Sequence, residues 1–206
     1  MAEPPETSVE KVAGLLLTGG ASRRMGFDKA LLLVDGSPNA ARLASALHAV
    51  ARPAREVGPG VSGLPALQET PAGAGPLVAI CAGARHLRSL GHDGPVVVLA
   101  CDLPFMTSGV ISELCAWPAK GSVVPVVAGH AQPLCARWSQ TDLLAGEMLV
   151  RGGERSMKAL LGRPGITFPT EGEWAEAKKA GVSIVRAFSD VDSPADLIAL
   201  GLPRNP

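Results

Sequence analysis

Tyrosine is absent from this chain, and four phenylalanines and three tryptophans are all the aromatics in 206 residues. That scarcity argues against the stacking platforms on which single-stranded nucleic acid is held, and it leaves the core to leucine, valine and alanine. Net charge is missing too, because 19 Lys and Arg balance 19 Asp and Glu. A chain without net charge has no general attraction for nucleic acid or an anionic membrane, so any anion site has to be local. No apolar run reaches the ~20 residues of a membrane span. The first eleven residues are acidic and proline-containing, and lack the basic start and apolar centre of a signal peptide. These features predict a cytoplasmic protein with a loose tail over residues 1–11 and one domain over 12–206. Cys81, Cys101, Cys115 and Cys135 lack the close spacing of a zinc site, and a chain of this length needs no disulfide staples. They are expected to be buried free thiols.

One stretch stands out against this background: Gly14 to Leu33, GLLLTGGASRRMGFDKALLL. An apolar run leads into Gly19 and Gly20, then Ser22, Arg23, Arg24, Gly26 and Lys29, before a second apolar run. Glycines expose backbone N–H groups and allow close approach, while the cations neutralise charge, which is what a polyanion needs at the end of a buried strand. The stretch is not a P-loop, since no Gly-Lys-Ser/Thr closes it. Arg24 offers a rigid fork to phosphate oxygens and Lys29 a compact mobile charge. A nucleoside triphosphate is the expected ligand.

The remaining pattern places that loop in a fold. Strands are expected over Val12–Thr18, at Glu56-Val57, over Pro65–Gln68 and, most clearly, over Pro95–Ala100, whose continuous β-branched run suits a strand buried on both faces. Helices are expected from Asn39, as cap, to about Val50, over Leu77–Leu90, after Thr107 or Ser108, from Thr141 as cap to Leu149, over Ser156–Leu161, and from Ser193-Pro194 to Gly201. Asp35–Pro38 reads as a turn, Ser122–Val127 and Gln132–Trp138 as a hairpin, Gly165–Phe168 and Val182–Phe188 as further strands, and Glu171–Lys179 as an exposed charged segment. Gly58–Gly63 matches G-x-G-x-x-G letter for letter, but Leu64-Pro65 follows where a helix should start, so it is read as a plain loop. Alternating strands and helices through residue 116 predict an α/β fold with a mostly parallel sheet covered on both faces. Ligands of such sheets bind beyond the carboxyl ends of the strands. The Gly19–Lys29 loop and Asp102 both lie at such ends, and Asp102 is the kind of hard oxygen ligand that Mg²⁺ uses with phosphates and waters. Asp190 and Asp192 are either a second acidic pair or a capping turn before the last helix.

These residues resemble a known family. LLLTGGASRRMGFDKALL is similar to the signature L-x-G-G-x-S-x-R-M-G-x-D-K-x-L of molybdenum cofactor guanylyltransferases. In family order, GAGPL (Gly73–Leu77) resembles its Gly-Pro-Leu element, LACDLPFM (Leu99–Met106) its C-D-x-P-F segment, QPLCARW its antiparallel strand, GGERSMKALL (Gly152–Leu161) its G-E-R helix start, and DVDSPADL (Asp190–Leu197) its closing N-x-N-T-P-E-D-L. The resemblance implies a three-layer α/β/α, Rossmann-like sandwich of the nucleotide-diphospho-sugar transferase type, with one antiparallel strand. It implies transfer of GMP from GTP to molybdopterin-bound molybdenum with release of pyrophosphate. Carried over by position, Leu17, Thr18, Gly19, Gly20, Glu69 and Gly75 contact the nucleotide. Arg24 and Lys29 hold phosphates, Asp102 binds Mg²⁺ and GTP, Asp192 is a further metal ligand, and Arg155, Asp190 and Asp192 lie near the pterin phosphate. Contacts with a molybdoenzyme or a cofactor chaperone are implied as well; nucleic acid and membrane are not.

The chain departs from the family at Thr18 (usually Ala), Glu69 (usually Asp), Val57-Gly58 (no Asn) and Ala79 (usually Gly). The aspartates at 190 and 192 stand where asparagines are usual and look like those of the sister cytidylyltransferases. These differences leave nucleotidyl transfer in place and bear on the base and the acceptor. A cytidylyltransferase or sugar-phosphate nucleotidyltransferase on the same fold is the alternative. A non-catalytic nucleotide-binding module is a third, against which Arg24, Lys29 and Asp102 speak.

Overall fold

The computed structural model describes residues 11–19, 29–176, 184–191 and 193–202. The tail expected over residues 1–11, apart from Lys11, lies outside the described residues, as do the predicted site residues Gly20, Arg24 and Asp192. In chain order come β1 (Ala13–Leu17), a 3-10 turn at Lys29–Leu31, β2 (Leu33–Val34), β3 (Ser37–Pro38), α1 (Asn39–His48), β4 (Ala54–Val57), β5 (Ala66–Leu67), α2 (Pro76–Ser89) and β6 (Val96–Ala100). Then follow α3 (Ser108–Ala116), β7 (Val126–Val127), β8 (His130–Ala131), β9 (Cys135–Trp138), α4 (Gln140–Arg151), α5 (Met157–Leu161), α6 (Glu171–Glu176), α7 (Ile184–Ala187) and α8 (Pro194–Ala199).

The main sheet has the order β5-β4-β1-β6-β9. The first four strands are parallel and β9 runs antiparallel to β6. The apolar runs of β1 and β6 are continuous because both faces of these inner strands are covered. Alternation then splits them. Ala13, Leu15, Leu17, Val96 and Val98 pack with Leu77, Ile80, Ala84 and Leu87 of α2 and with Leu143 and Leu160. Leu16, Val97 and Leu99 pack on the other face with Leu43 and Leu47 of α1 and Ile111 and Leu114 of α3. Two cores and three layers result. Gly14 lets α1 approach, since a Cβ there would stand 2.8 Å from Leu47 Cγ.

Several local expectations are corrected. Asn39 does not cap α1; Pro38 holds that position, and the buried Asn39 side chain turns to another loop. The turn before it is tighter than expected, with Asp35 and Gly36 at positive φ between β2 and β3. α4 is capped by Ser139 rather than Thr141. Gly165–Phe168 forms one isolated bridge, Thr167 with Val123, instead of a strand; a second isolated bridge joins Thr170 to Val126, whose amide donates to the Pro169 carbonyl (2.9 Å). Residues 184–187 are helical, because Ile184, Ala187 and Phe188 are buried at spacings of three and four while Val185 and Arg186 are exposed. Of the charged segment Glu171–Lys179, Glu171–Glu176 is a helix that buries Trp174 beside Trp117 and Phe188, and residues 177–179 lie outside the described residues. The cysteines are free, with Cys81 and Cys135 buried but Cys101 and Cys115 only half-buried. Burial pushes the Cys81 thiol up to about 12.

The N-terminus of α4 carries a buried carboxylate with a measurable pH signature. Asp142 Oδ2 accepts from Ser122 Oγ (2.6 Å) and Ser139 Oγ (2.9 Å), and Oδ1 accepts from Arg163 Nε (2.9 Å). Burial alone would raise the Asp142 pKa, but these hydrogen bonds and the Arg163 charge outweigh it and hold the group below its ordinary value. A depressed folded pKa stabilises the protein above the unfolded value of about 3.9 and loses that contribution as pH falls through the folded value. The difference in urea midpoint between wild type and Asp142→Asn is therefore expected to be constant near neutrality and to shrink below about pH 4.

Candidate active site

Backbone hydrogen bonds gather the carboxyl ends of the parallel strands into one row. Beyond β1, the Thr18 and Gly19 amides both donate to the Val57 carbonyl, at 3.1 and 3.3 Å. The Gly58 amide donates to Leu67 (2.9 Å) and the Cys101 amide to Leu17 (3.1 Å). Leu17 and Thr18 are buried and Gly19 is exposed, so the chain surfaces at the start of the glycine-rich loop. Lys29 re-enters at the 3-10 turn before β2. Asp102 follows β6, directly beside this exit, and Glu69 follows β5. Three inter-strand steps put roughly 14 Å between those two strand ends.

Asp102 and Asp190, far apart in sequence, line one cavity of about 200 Å³ with Gln132, Leu134 and Cys135. The Val191 amide donates to the Asp102 carbonyl at 3.0 Å, which ties the C-terminal segment to the loop after β6. That loop is also clamped from α1. Asn39 Nδ2 donates to the Cys101 carbonyl (2.8 Å), and Asn39 Oδ1 accepts from Arg42. Arg42 in turn donates to the carbonyls of Met106 (2.8 Å) and Leu103 (3.2 Å). The Asn39 amide donates to Leu32 (2.8 Å), so one turn of α1 joins the segment that follows the glycine-rich loop to the loop bearing Asp102. Arg186 of α7 lies over the Phe105 ring, 4.3 Å from its centroid.

On the other side of β1, Glu56 of β4 is fully buried. Its Oε1 accepts from Thr18 Oγ1, Gly60 N (2.7 Å) and Val61 N (3.0 Å), and its Oε2 from Ser62 N (2.8 Å) and Ser62 Oγ (2.5 Å). Burial pushes this carboxyl up, but the donors outweigh it and hold its pKa below the ordinary value. The G-x-G-x-x-G loop is thus folded around the protein's own carboxylate, in keeping with its reading as something other than a dinucleotide fingerprint.

The remaining predicted residues sit further along the row. Glu69 is buried and accepts from the Gly73 amide (2.8 Å), closing its own loop. Gly75 caps α2 with φ 107°, and a Cβ there would come within 3.3 Å of the Arg155 carbonyl. Gly75 and Arg155 therefore meet, and Asp102 and Asp190 meet, at two separate places. A larger cavity of about 790 Å³, lined by Lys11, Val12, Arg52, Pro95 and Arg137 among others, opens at the amino ends of β1 and β6 and contains none of the predicted site residues. Sequence reasoning misses Glu56 and Arg42 and gives Asn39 the wrong task. The available signal for Glu56 is a carboxylate inside a short strand just before a glycine-rich loop.

A family model described as the MobA-like NTP transferase domain matches residues 14–167. The chain belongs to this family. It is 38% identical over 112 residues to a molybdenum cofactor guanylyltransferase of Rhodobacter capsulatus, covering 52% of this chain and 58% of that protein. That alignment spans little more than half of the relative's length. The chain is 30% identical over 201 residues to a molybdenum cofactor guanylyltransferase of Cereibacter sphaeroides, covering 91% of this chain and 94% of that protein. Among solved structures, molybdopterin-guanine dinucleotide biosynthesis protein A of Archaeoglobus fulgidus superposes with a TM-score of 0.72 at 19% identity, covering 91% of this chain and 96% of that one. The superposition bears on the fold, and it agrees with the expected α/β sandwich. Membership in the family makes residues 14–167 a MobA-like NTP transferase domain.

Enzymes of this family generally use a divalent metal, so the donors matter. Among the described residues no group of three or more His, Cys, Asp or Glu could hold an ion alone. Asp102 and Asp190 about one cavity fit a cation that takes one or two carboxylates and completes its shell with phosphate oxygens and water, as Mg²⁺ does. They do not fit a structural metal enclosed by protein.

Proposed function

We propose that this chain transfers GMP from GTP to molybdopterin, in its molybdenum-bound form, and releases pyrophosphate. The observation that carries the reading is the strand-end row: the exit of β1 into a glycine- and arginine-rich loop is hydrogen-bonded to β4 and β6, with Asp102 at the next strand end. Membership in the MobA-like family and relatives named as guanylyltransferases support it. The protein is proposed to act in the cytoplasm as one domain over residues 12–206, and none of its described helices is long and apolar enough to cross a membrane.

In this mechanism the terminal phosphate of the pterin attacks the α-phosphorus of GTP in line. A new P–O bond forms, the bond from the α-phosphorus to the bridging oxygen breaks, and pyrophosphate leaves with its electron pair. The attacking phosphate is already ionised, so no protein base is needed, and the chain's task is to position groups and neutralise charge. The Gly19 and Gly20 amides and the cations Arg24 and Lys29 are assigned to the phosphates. Asp102, with Asp190 or Asp192, is assigned to Mg²⁺. When bound, that ion supplies positive charge to the α-phosphate and the leaving pyrophosphate. Glu69 and Gly75, with Arg155 against Gly75, are assigned to the nucleoside end, and Asp190 and Asp192 to the acceptor end beside Asp102; Arg155 is thus separated from the aspartates with which it was expected to meet the pterin phosphate.

The purified chain, incubated with molybdopterin, Mg²⁺ and each of the four nucleoside triphosphates in turn, is expected to release pyrophosphate with GTP alone. A cytidylyltransferase is the second reading, favoured by the lining of the Asp102 cavity by Asp190. Release with CTP alone would replace the first reading by the second.

A further inference from the structure

The Gly58–Gly63 loop is given no part in the transfer chemistry proposed above, yet it is built around a charge. Three amides, of Gly60, Val61 and Ser62, converge on the Glu56 carboxylate together with the Ser62 and Thr18 hydroxyls. Successive amides of this kind form an anion-binding nest. Here the anion is internal, so the nest does not compete for phosphate with the loop one strand away. Among the described residues no cation pairs with this carboxylate; burying one so is costly, and an apolar residue would serve packing alone at lower cost. The arrangement therefore calls for a reason beyond packing.

That reason lies in what the carboxylate touches. Thr18 is the last residue before Gly19, and its hydroxyl is held by Glu56. Gly58 presses on the same point: a Cβ there would lie 2.2 Å from Thr18 Oγ1 and 2.7 Å from the Gly19 amide nitrogen, at φ 153°. Any shift of the 58–62 loop is passed directly to the first amide of the phosphate loop. We propose that Glu56 is a positioning residue for the nucleotide: by holding the Thr18 hydroxyl and the amides of residues 60–62, it fixes the direction in which β1 delivers Gly19 to the phosphates. Glu56 touches no substrate and acts through Thr18. This rests on the nucleotidyltransferase reading above.

The test compares two buried carboxylates in the full-length chain. Glu56→Gln keeps the shape but turns an amide toward converging donors. Asp142→Asn does the same in a network at the N-terminus of α4, which follows β9 at the opposite end of the sheet. Both variants are expected to lower Tm. Glu56→Gln is expected to raise the Kd for Mg–GTP by calorimetry and the KM for GTP about tenfold, with a smaller fall in kcat, whereas Asp142→Asn leaves Kd and KM within twofold. Ser62→Ala, which removes one donor of five and is the milder change, is expected to raise Kd about threefold and keeps the idea testable if Glu56→Gln fails to fold. Loss of Tm in Glu56→Gln or Ser62→Ala with Kd for Mg–GTP unchanged would overturn the role of Glu56. A wild-type chain that binds Mg–GTP but releases no pyrophosphate with any acceptor would overturn the transfer reading instead, and the ratio of dissociation constants would still decide for or against Glu56.

Discussion

Asp102→Ala is expected to lower pyrophosphate release by ~10³-fold or more while leaving Tm within a few degrees of wild type. Charge stabilisation of a phosphoryl transition state is worth several kcal/mol, and each ~1.4 kcal/mol is a factor of ten in rate. The fold should survive because the tie between the Asp102 loop and the C-terminal segment uses the Asp102 carbonyl, which alanine retains. The loop is held besides by Asn39 and Arg42, which act on the carbonyls of Cys101, Leu103 and Met106. Turnover against Mg²⁺ concentration separates this outcome from simple unfolding. Near-normal turnover in Asp102→Ala would remove it from the metal site and with it the assignment of Asp190.

The second large effect is expected at Asn39, a residue remote from the chemistry. Asn39→Ala removes the donor to the Cys101 carbonyl and one acceptor of Arg42, and losing buried hydrogen bonds of this kind costs about 1–3 kcal/mol each. Stability should fall by a few kcal/mol, and kcat by about tenfold to a hundredfold, because the loop bearing Asp102 and the segment returning from the phosphate loop lose their common support. Asn39→Asp distinguishes the two bonds. It keeps the acceptor for Arg42 but turns an oxygen toward the Cys101 carbonyl, so activity should stay as low as in Asn39→Ala while part of the stability returns. Urea unfolding and single-turnover kinetics of the pair check this. Full activity in either variant would show that the clamp serves packing only.

The parts of the fold that could be read from the sequence are those in which burial leaves a periodic trace. Val96 to Leu99 is a run of four fully buried residues, and β1 and α2 carry equally plain patterns. Their order implied a parallel sheet with ligands at its carboxyl edge, and Asp102 stands there beside the β1 exit. The residues from 184 to 188 misled because Val and Ile favour strands locally, while burial at three- and four-residue spacing made them helical. Capping failed at Asn39 and Thr141 for a related reason: a cap is chosen by where the helix starts, and tertiary bonds moved both starts. The support around the site was hidden more deeply. Glu56 and Arg42 look like ordinary surface charges in sequence, and only the fold shows one surrounded by amides and hydroxyls and the other by carbonyls. Thr18, a departure from the family's alanine, has its physical account here, since its hydroxyl is a donor to Glu56.

In the proposed reaction the pterin phosphate attacks the α-phosphorus of GTP. Its most direct measurement follows the two ends of GTP separately, with molybdopterin and Mg²⁺ present and the pterin product isolated by chromatography. Label at the α-phosphate is expected in the pterin dinucleotide, and label at the γ-phosphate only in pyrophosphate. Recovery of γ-label in the pterin, or of α-label from CTP but not from GTP, would rule this reaction out.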